Sequence, residues 1–214
     1  MPARADGTVR VDHSDPLGIV ISFEVMRRFF AILAMGVGLA VAFAVVLLIA
    51  SHVSTEASAL RRRIEASLSG RELMYAFVVA TTATLGSLYL SEIVHLEPCK
   101  FCWFQRIAMY PLALILGIAA SRKDQAVRVY AAPMAVIGGS MSAYHYLIQQ
   151  FPELSSGACS TTVPCTAAYI WEFGFMSIPL MALIAFSMIL VLLAVARSNE
   201  RAADHSHTDA EVLS

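Results

Sequence analysis

Long apolar runs, broken by short polar connections, set the pattern of this chain. A helix that crosses lipid needs about 20 apolar residues, because its backbone polar groups find no water in the hydrocarbon. Five segments qualify: about Phe29 to Ala50 ("FFAILAMGVGLAVAFAVVLLIA"), Leu73 to Val94, Phe104 to Ala120, Val127 to Leu147, and Ile178 to Ala196. Their lengths predict helices rather than strands. The chain therefore divides into a polar N-terminal tail over 1–28, a first span over 29–50 and a basic connection over 51–72. A four-span unit over 73–196 and a polar tail over 197–214 complete it. The last segment, "RSNERAADHSHTDAEVLS", is expected to be disordered. Its His205 and His207 read as solvated residues, not as metal ligands.

Composition agrees with a membrane protein. Of 214 residues, 58% are hydrophobic and 14% charged, with a mean hydropathy of +0.68, whereas a soluble domain carries about 25% charged residues. The net charge of -1 and the lack of a Gly-rich phosphate loop or a basic aromatic stripe argue against a nucleic-acid partner. Length allows one compact bundle.

Positive charge gives the orientation. Arg61, Arg62, Arg63 and Arg71 lie in the first connection, Arg122, Lys123 and Arg128 in the 121–128 connection, and Arg197 and Arg201 in the C-terminal tail. No Lys or Arg occurs between Arg128 and Arg197, so the long connection from about Ile148 to Ser177 is expected outside. Alternation then places the 95–103 loop outside and the C-terminus inside. The N-terminal tail also falls outside, although it holds Arg4, Arg10, Arg27 and Arg28. Residues 26–50 resemble a signal-anchor, with Met26 as a possible alternative start. Cleavage there would invert everything that follows and put the positive loops outside, which argues against it.

The chemistry lies in four cysteines, Cys99, Cys102, Cys159 and Cys165, which form two close pairs on the expected outer face. Three readings compete: a four-thiolate zinc site, two structural disulfides, and a redox relay. Local features favour the relay. A thiol becomes reactive near a cation, at a helix N-terminus or within Cys-x-x-Cys, and "EPCKFCWFQR" offers all three. Pro98 precedes a helix start, Cys102 falls on the first turn, and Arg106 follows it by four residues on the same face. Arg106 could be a snorkelling interfacial anchor. Beside a cysteine pair it reads as functional, lowering the pKa of Cys102. No flavin or nicotinamide fingerprint is visible, and a lipid-soluble quinone could reach this site laterally, with Arg106 on its carbonyl. His145, in "SAYHYLIQQFP", is either a satisfied interfacial histidine or a residue facing Arg106 across the bundle. The second pair, "GACSTTVPC", lies in a non-helical loop and is expected to be an exposed, flexible disulfide open to attack by an external thiolate.

Together "LYLSEI", "EPCKFCWFQRIAMYPL", "AYHYLIQQFPEL", "VPC" and "YIWEFGFMSIPLMALIAF" resemble the DsbB/BdbC family of quinone-linked membrane proteins that form disulfide bonds. The resemblance covers about Leu73 to Ala196 and implies an all-α DsbB-like four-helix transmembrane bundle, here with one extra N-terminal transmembrane helix. It implies that Cys102 is the cysteine nearest the quinone (ubiquinone or menaquinone) and Cys99 its partner. It further implies that Cys159 exchanges with a DsbA-like extracytoplasmic thiol oxidase, that Cys165 relays to Cys99, and that Arg106 and His145 contact the quinone. No metal is implied, and the setting would be a bacterial plasma membrane with its quinone pool. A vitamin K epoxide reductase-like enzyme shares this logic, but its loop pair precedes the Cys-x-x-Cys. A non-catalytic module stapled by disulfides or zinc is the other alternative.

Overall fold

A computed structural model of the chain describes residues 23–155, 159, 164–168 and 170–212. It is all-helical among these residues, apart from one isolated bridge. Six α-helices follow in order: α1 (Phe23–Ala50), α2 (Thr55–Leu68), α3 (Glu72–Leu88), α4 (Lys100–Arg122), α5 (Arg128–Gln150) and α6 (Ile178–Val212). A π-turn over Tyr89–Ile93 extends α3. The first 22 residues of the expected N-terminal tail, with Arg4 and Arg10, lie outside the described residues.

Helices α3 to α6 form a ring in which α3 packs on α4 and α6, and α5 packs on α4 and α6. Small residues let the helices approach closely where no hydrophobic effect drives them together. Ala76, Ala80, Ala131 and Ala135 are fully buried beside Leu112, Leu116, Phe186 and Ile189. Gly138 has no substitute here, since a Cβ would lie 2.3 Å from the Phe186 ring.

All five expected spans are helices. Four are long and apolar enough to cross a membrane by length and composition: Glu24–Ala50, Glu72–Ile93, Lys100–Arg122 and Ile178–Glu200. Helix α5 matches α4 in length but is not among them. Two of its polar residues turn inward. Ser142 and His145 are buried, while Val129, Tyr130, Val136 and Ile137 form an exposed apolar face. It is a bundle member with part of its polarity buried inside.

Outside the spans, one element is added and one expectation fails. The basic connection contains a helix, α2, capped by Ser54, whose side chain accepts from Ala57 N. An Arg61–Glu65 pair at i,i+4 supports it. The C-terminal segment is no disordered tail, since α6 continues as one helix to Val212; the side chains of His205 and His207 lie outside the described residues. Polar contacts tie this end together: Asn199 donates to Glu65 O and to the buried Glu72, and Arg128 pairs with Glu200. The basic connections therefore gather at one end and the cysteines at the other. Helix α1 starts at the cysteine end, where Arg27 pairs with Glu172.

Candidate functional site

Cys99 is the N-cap of α4, and its sulfur accepts from Cys102 N at 3.4 Å. Capping satisfies one of the unpaired amides of the first turn and sets the sulfur at the positive end of the helix. The Cys-x-x-Cys spacing brings the Cys102 thiol back over the same sulfur, 3.1 Å away. Cys99 and Cys102 are free thiols, while Cys159 and Cys165 are joined. Both pairs, separated by a long apolar stretch in sequence, share one cluster with Phe101, Ile148 and Tyr144.

The two sides of the first turns of α4 differ. On one side His145, 1% exposed, sits 3.6 Å from Cys99 Sγ and 3.1 Å from the carbonyl oxygen of Cys165 through Nε2. The amide nitrogen of Gln105 lies 3.2 Å from Nδ1. Donation from Gln105 leaves the ring proton on Nε2, directed at the Cys99 and Cys165 groups. Phe101 packs against the ring. His145 therefore joins the two cysteine pairs. The expectation that it faces Arg106 across the bundle is not met, because the rotation of α5 points it at the opposite side of α4.

On the other side Arg106 donates from Nε to Ser87 Oγ at 2.9 Å and from Nη2 to Ser87 O at 3.0 Å. Tyr110 donates to the same hydroxyl at 3.3 Å. The guanidinium also stands 5.4 Å from the Trp103 ring. These contacts fix its plane. Cys102, Arg106 and Tyr110 line a cavity of ≈ 370 Å³ whose remaining wall is mostly apolar, including Met109 and Phe186, with Arg27, Glu97 and Gln105 also on it. His145 is not part of that lining.

Two further corrections concern reactivity. The expected low-pKa thiolate was Cys102 with Arg106 as cause. Hydrogen bonds converge on Cys99 instead: the Cys102 side chain holds its thiol far below the ordinary value, burial opposes this, and His145 adds a hydrogen bond. The loop disulfide is also less exposed than expected. Cys165 is 1% exposed and docked under α5, leaving half-buried Cys159 as the more accessible sulfur. Gly157, Ser160, Thr161 and Thr162 lie outside the described residues.

Gln105, Ser87 and Tyr110 escaped the sequence reading. Ser87 had no distinguishing signal, since Thr81, Thr82, Thr84 and Ser91 are hydroxyls of the same span. Gln105 lies six residues beyond Cys99 and only three beyond Cys102, which gives no motif to catch.

Comparison with known proteins decides the family. The model of the family "Disulfide bond formation protein DsbB" matches residues 71–196, more than half of the chain. The chain belongs to the DsbB family. It is 48% identical over 129 residues to Disulfide bond formation protein C of Bacillus subtilis, covering 60% of this chain and 94% of that one. It is 51% identical over 120 residues to Probable disulfide formation protein C of Bacillus cereus, covering 56% and 86%. A Probable disulfide formation protein of Oceanobacillus iheyensis is 48% identical over 123 residues, covering 56% and 84%. No solved structure matches. The chain is thus a DsbB-like multi-pass membrane protein of disulfide bond formation. Helices α1 and α2 precede the matched DsbB region.

Proposed function

We propose that this protein reoxidises a thioredoxin-fold, DsbA-like thiol oxidase and delivers the electrons to a membrane quinone, with its cysteine loops on the extracytoplasmic side of a bacterial plasma membrane. The supporting observation is that Cys-x-x-Cys stands between a docked disulfide on one side and an apolar cavity bearing a fixed guanidinium on the other.

The cavity fits the acceptor. Its volume of ≈ 370 Å³ lies in the range of small-molecule sites, about 300–1,000 Å³. Its apolar wall suits a lipid-borne ring, and Arg106 and Tyr110 suit a ring oxygen. When bound, a quinone supplies an acceptor of two electrons and two protons. Arg106, held by Ser87, would orient a carbonyl and offset negative charge developing there. Cys102 would be the sulfur within reach.

Thiol exchange runs through the other side. A thiolate of the partner attacks Cys159 Sγ, forms a mixed disulfide and releases Cys165. The Cys165 thiolate attacks Cys99 of an oxidised Cys99–Cys102 pair, joins to it and releases Cys102 as a thiolate. The second thiol of the partner attacks the mixed disulfide and releases Cys159 as a thiolate, which leaves the partner oxidised. Cys159 then attacks Cys165 of the Cys165–Cys99 disulfide and releases Cys99, so that the Cys99–Cys102 pair is left as the dithiol that holds the two electrons. Hydrogen bonds that stabilise a Cys99 thiolate make Cys99 a good leaving group when the loop disulfide re-forms. His145, touching Cys99 and the Cys165 backbone, is a positioning residue for this exchange and not a quinone contact.

The test uses full-length protein in detergent with a reduced thioredoxin-like donor and a short-tailed quinone. Loss of quinone absorbance that requires all four cysteines is the expected result. Donor oxidation that proceeds without quinone reduction overturns the reading.

A second reading has one observation in its favour. Ligand atoms of Cys99, Cys102 and His145 all lie within 4.8 Å of one another. Three ligands with an open fourth position describe a catalytic type of zinc site. Stoichiometric zinc in the reduced protein as purified, with no quinone reduction, would favour it.

A further inference from the structure

Helix α1 stands before the region matched to DsbB, yet it shapes the cavity that holds Cys102 and Arg106. Three contacts clamp it against the bundle. At the cysteine end, Arg27 Nε pairs with Glu172 Oε1 at 2.5 Å. Glu172 is presented by a tight turn closed by Glu172 N to Met176 O and Met176 N to Glu172 O hydrogen bonds, with Phe173 and Gly174 in the left-handed region. One turn further along α1, the Phe30 ring lies over Gly86, where a Cβ would come within 3.0 Å of it. Deeper, Gly38 meets Ile184 of α6 at 3.2 Å from its ideal Cβ position. Between these clamps, Leu33, Ala34 and Val37 face α3 and α6 across the cavity and form part of its lining.

The opposite face of α1 is apolar and exposed, with Ile32, Leu39, Val46 and Ile49 each more than 60% exposed, as a lipid-facing surface is. The helix is therefore a partition. Lipid lies on one side of it and the acceptor cavity on the other. Without it, Cys102 and Arg106 would open sideways to the hydrocarbon between α3 and α6.

We propose that α1 is the wall of an acceptor-tail channel: the polyprenyl tail of a lipid quinone runs along Leu33, Ala34 and Val37, between α1 and the α3–α6 seam, while its ring lies at Cys102 and Arg106. This deepens the function proposed above and rests on it. The channel continues from the polar groups at the cysteine end into the apolar interior, along the direction a lipid tail must take. Small residues on its wall, Ala34 and Ala182, leave width for a branched chain.

Two measurements on the full-length protein test it. In the first, a quinone carrying a photoreactive group on its tail is bound to the unaltered protein and irradiated, and the labelled peptides are mapped. Label on residues 33–37 is expected. Label confined to α3, α4, α6 or bulk-facing residues overturns the proposal. In the second, affinity is read by quenching of tryptophan fluorescence for a tailed quinone and for its tailless ring analogue. Ala34→Phe, which narrows the channel, should weaken the tailed ligand by about ten- to a hundred-fold and leave the tailless one within about twofold. Equal loss for both, or none for either, overturns the channel while the acceptor site stands. Failure of the unaltered protein to bind either quinone overturns the function proposed above, and the channel with it. Phe30→Leu serves as a second variant should Ala34→Phe fold poorly; by loosening the clamp on Gly86 it should reduce the preference for the tailed ligand, and an unchanged preference counts against the proposal.

Discussion

The two sides of the first turns of α4 carry opposite chemistry within one helix diameter. The side with His145, Gln105 and Cys165 is closed and crossed by hydrogen bonds. The side with Cys102 and Arg106 opens on an apolar space. The difference teaches how a Cys-x-x-Cys motif can work at a membrane boundary. One sulfur is set toward the loop disulfide and hydrogen-bond donors, the other borders the apolar space, and the two lie 3.1 Å apart.

Removing the sulfur shared by the two sides should have the largest effect. Cys102→Ser is expected to abolish quinone reduction, by on the order of a thousandfold or more, while the Cys159–Cys165 disulfide still exchanges once with a reduced partner. Single-turnover trapping of the mixed disulfide beside steady-state quinone reduction checks this. Retained turnover would mean that the open side does not depend on Cys102.

Next comes the cation of the open side. Arg106→Met should lower quinone use by about ten- to a hundred-fold, the worth of one charge-assisted contact where water is excluded. Insertion and both disulfides should survive. Arg106→Lys should recover part of the loss, since charge remains but the planar fork that grips Ser87 does not. Apparent KM and kcat measured per folded molecule separate this from a mere anchor, for which kinetics stay unchanged and yield falls.

The closed side is sharpened by pH. The folded-state pKa of Cys99 is depressed from 9.0 to about 4. The stability this thiolate contributes to the reduced protein is therefore complete above about pH 9 and is lost as pH falls toward 4. Ultraviolet thiolate absorbance of the reduced protein should persist down to about pH 5, whereas an ordinary thiol is protonated below about pH 8.5. Cys102→Ala removes the largest cause and should return the titration toward the ordinary value; His145→Phe should move it less. A titration unmoved by both changes would break the assignment of the thiolate to Cys99.

The smallest effect is expected at Ser87→Ala. It removes a hydroxyl acceptor but leaves the backbone carbonyl that Arg106 also uses, so quinone use should fall by roughly fivefold, the net worth of one hydrogen bond. A loss as large as that of Arg106→Met would show that the guanidinium acts only when held in plane by both contacts.

The spans and the cysteine quartet were legible in the sequence for simple reasons. Apolar length is dictated by the bilayer, and Cys-x-x-Cys followed by Arg106 is a local pattern. What escaped is what depends on rotation about a helix axis. His145 was recognised as a candidate, but nothing local says whether residue 145 of α5 meets Arg106 or Cys99. The packing of α5 on its neighbours settles that, and the contact it makes joins His145 to Cys99, 46 positions apart in the chain. Helix α2 was hidden because the reading followed hydrophobicity and α2 has little, although its Ser54 cap and Arg61–Glu65 pair were written in the sequence. The same bias concealed the end of α6, whose last stretch is polar yet rich in Ala, Glu and Arg, good helix formers.

That extension of α6 gives the molecule a ruler. Its 35 residues, at a rise of about 1.5 Å each, make a rod of about 52 Å, against about 40–45 Å for a whole bilayer with its headgroups. The last turns must stand clear of the membrane on the side away from the cysteines. Because Asn199 and Glu200 are bolted to α2, α3 and α5 where the rod emerges, its heading is inherited from the bundle. A probe fixed to its end would report the tilt of the whole transmembrane unit.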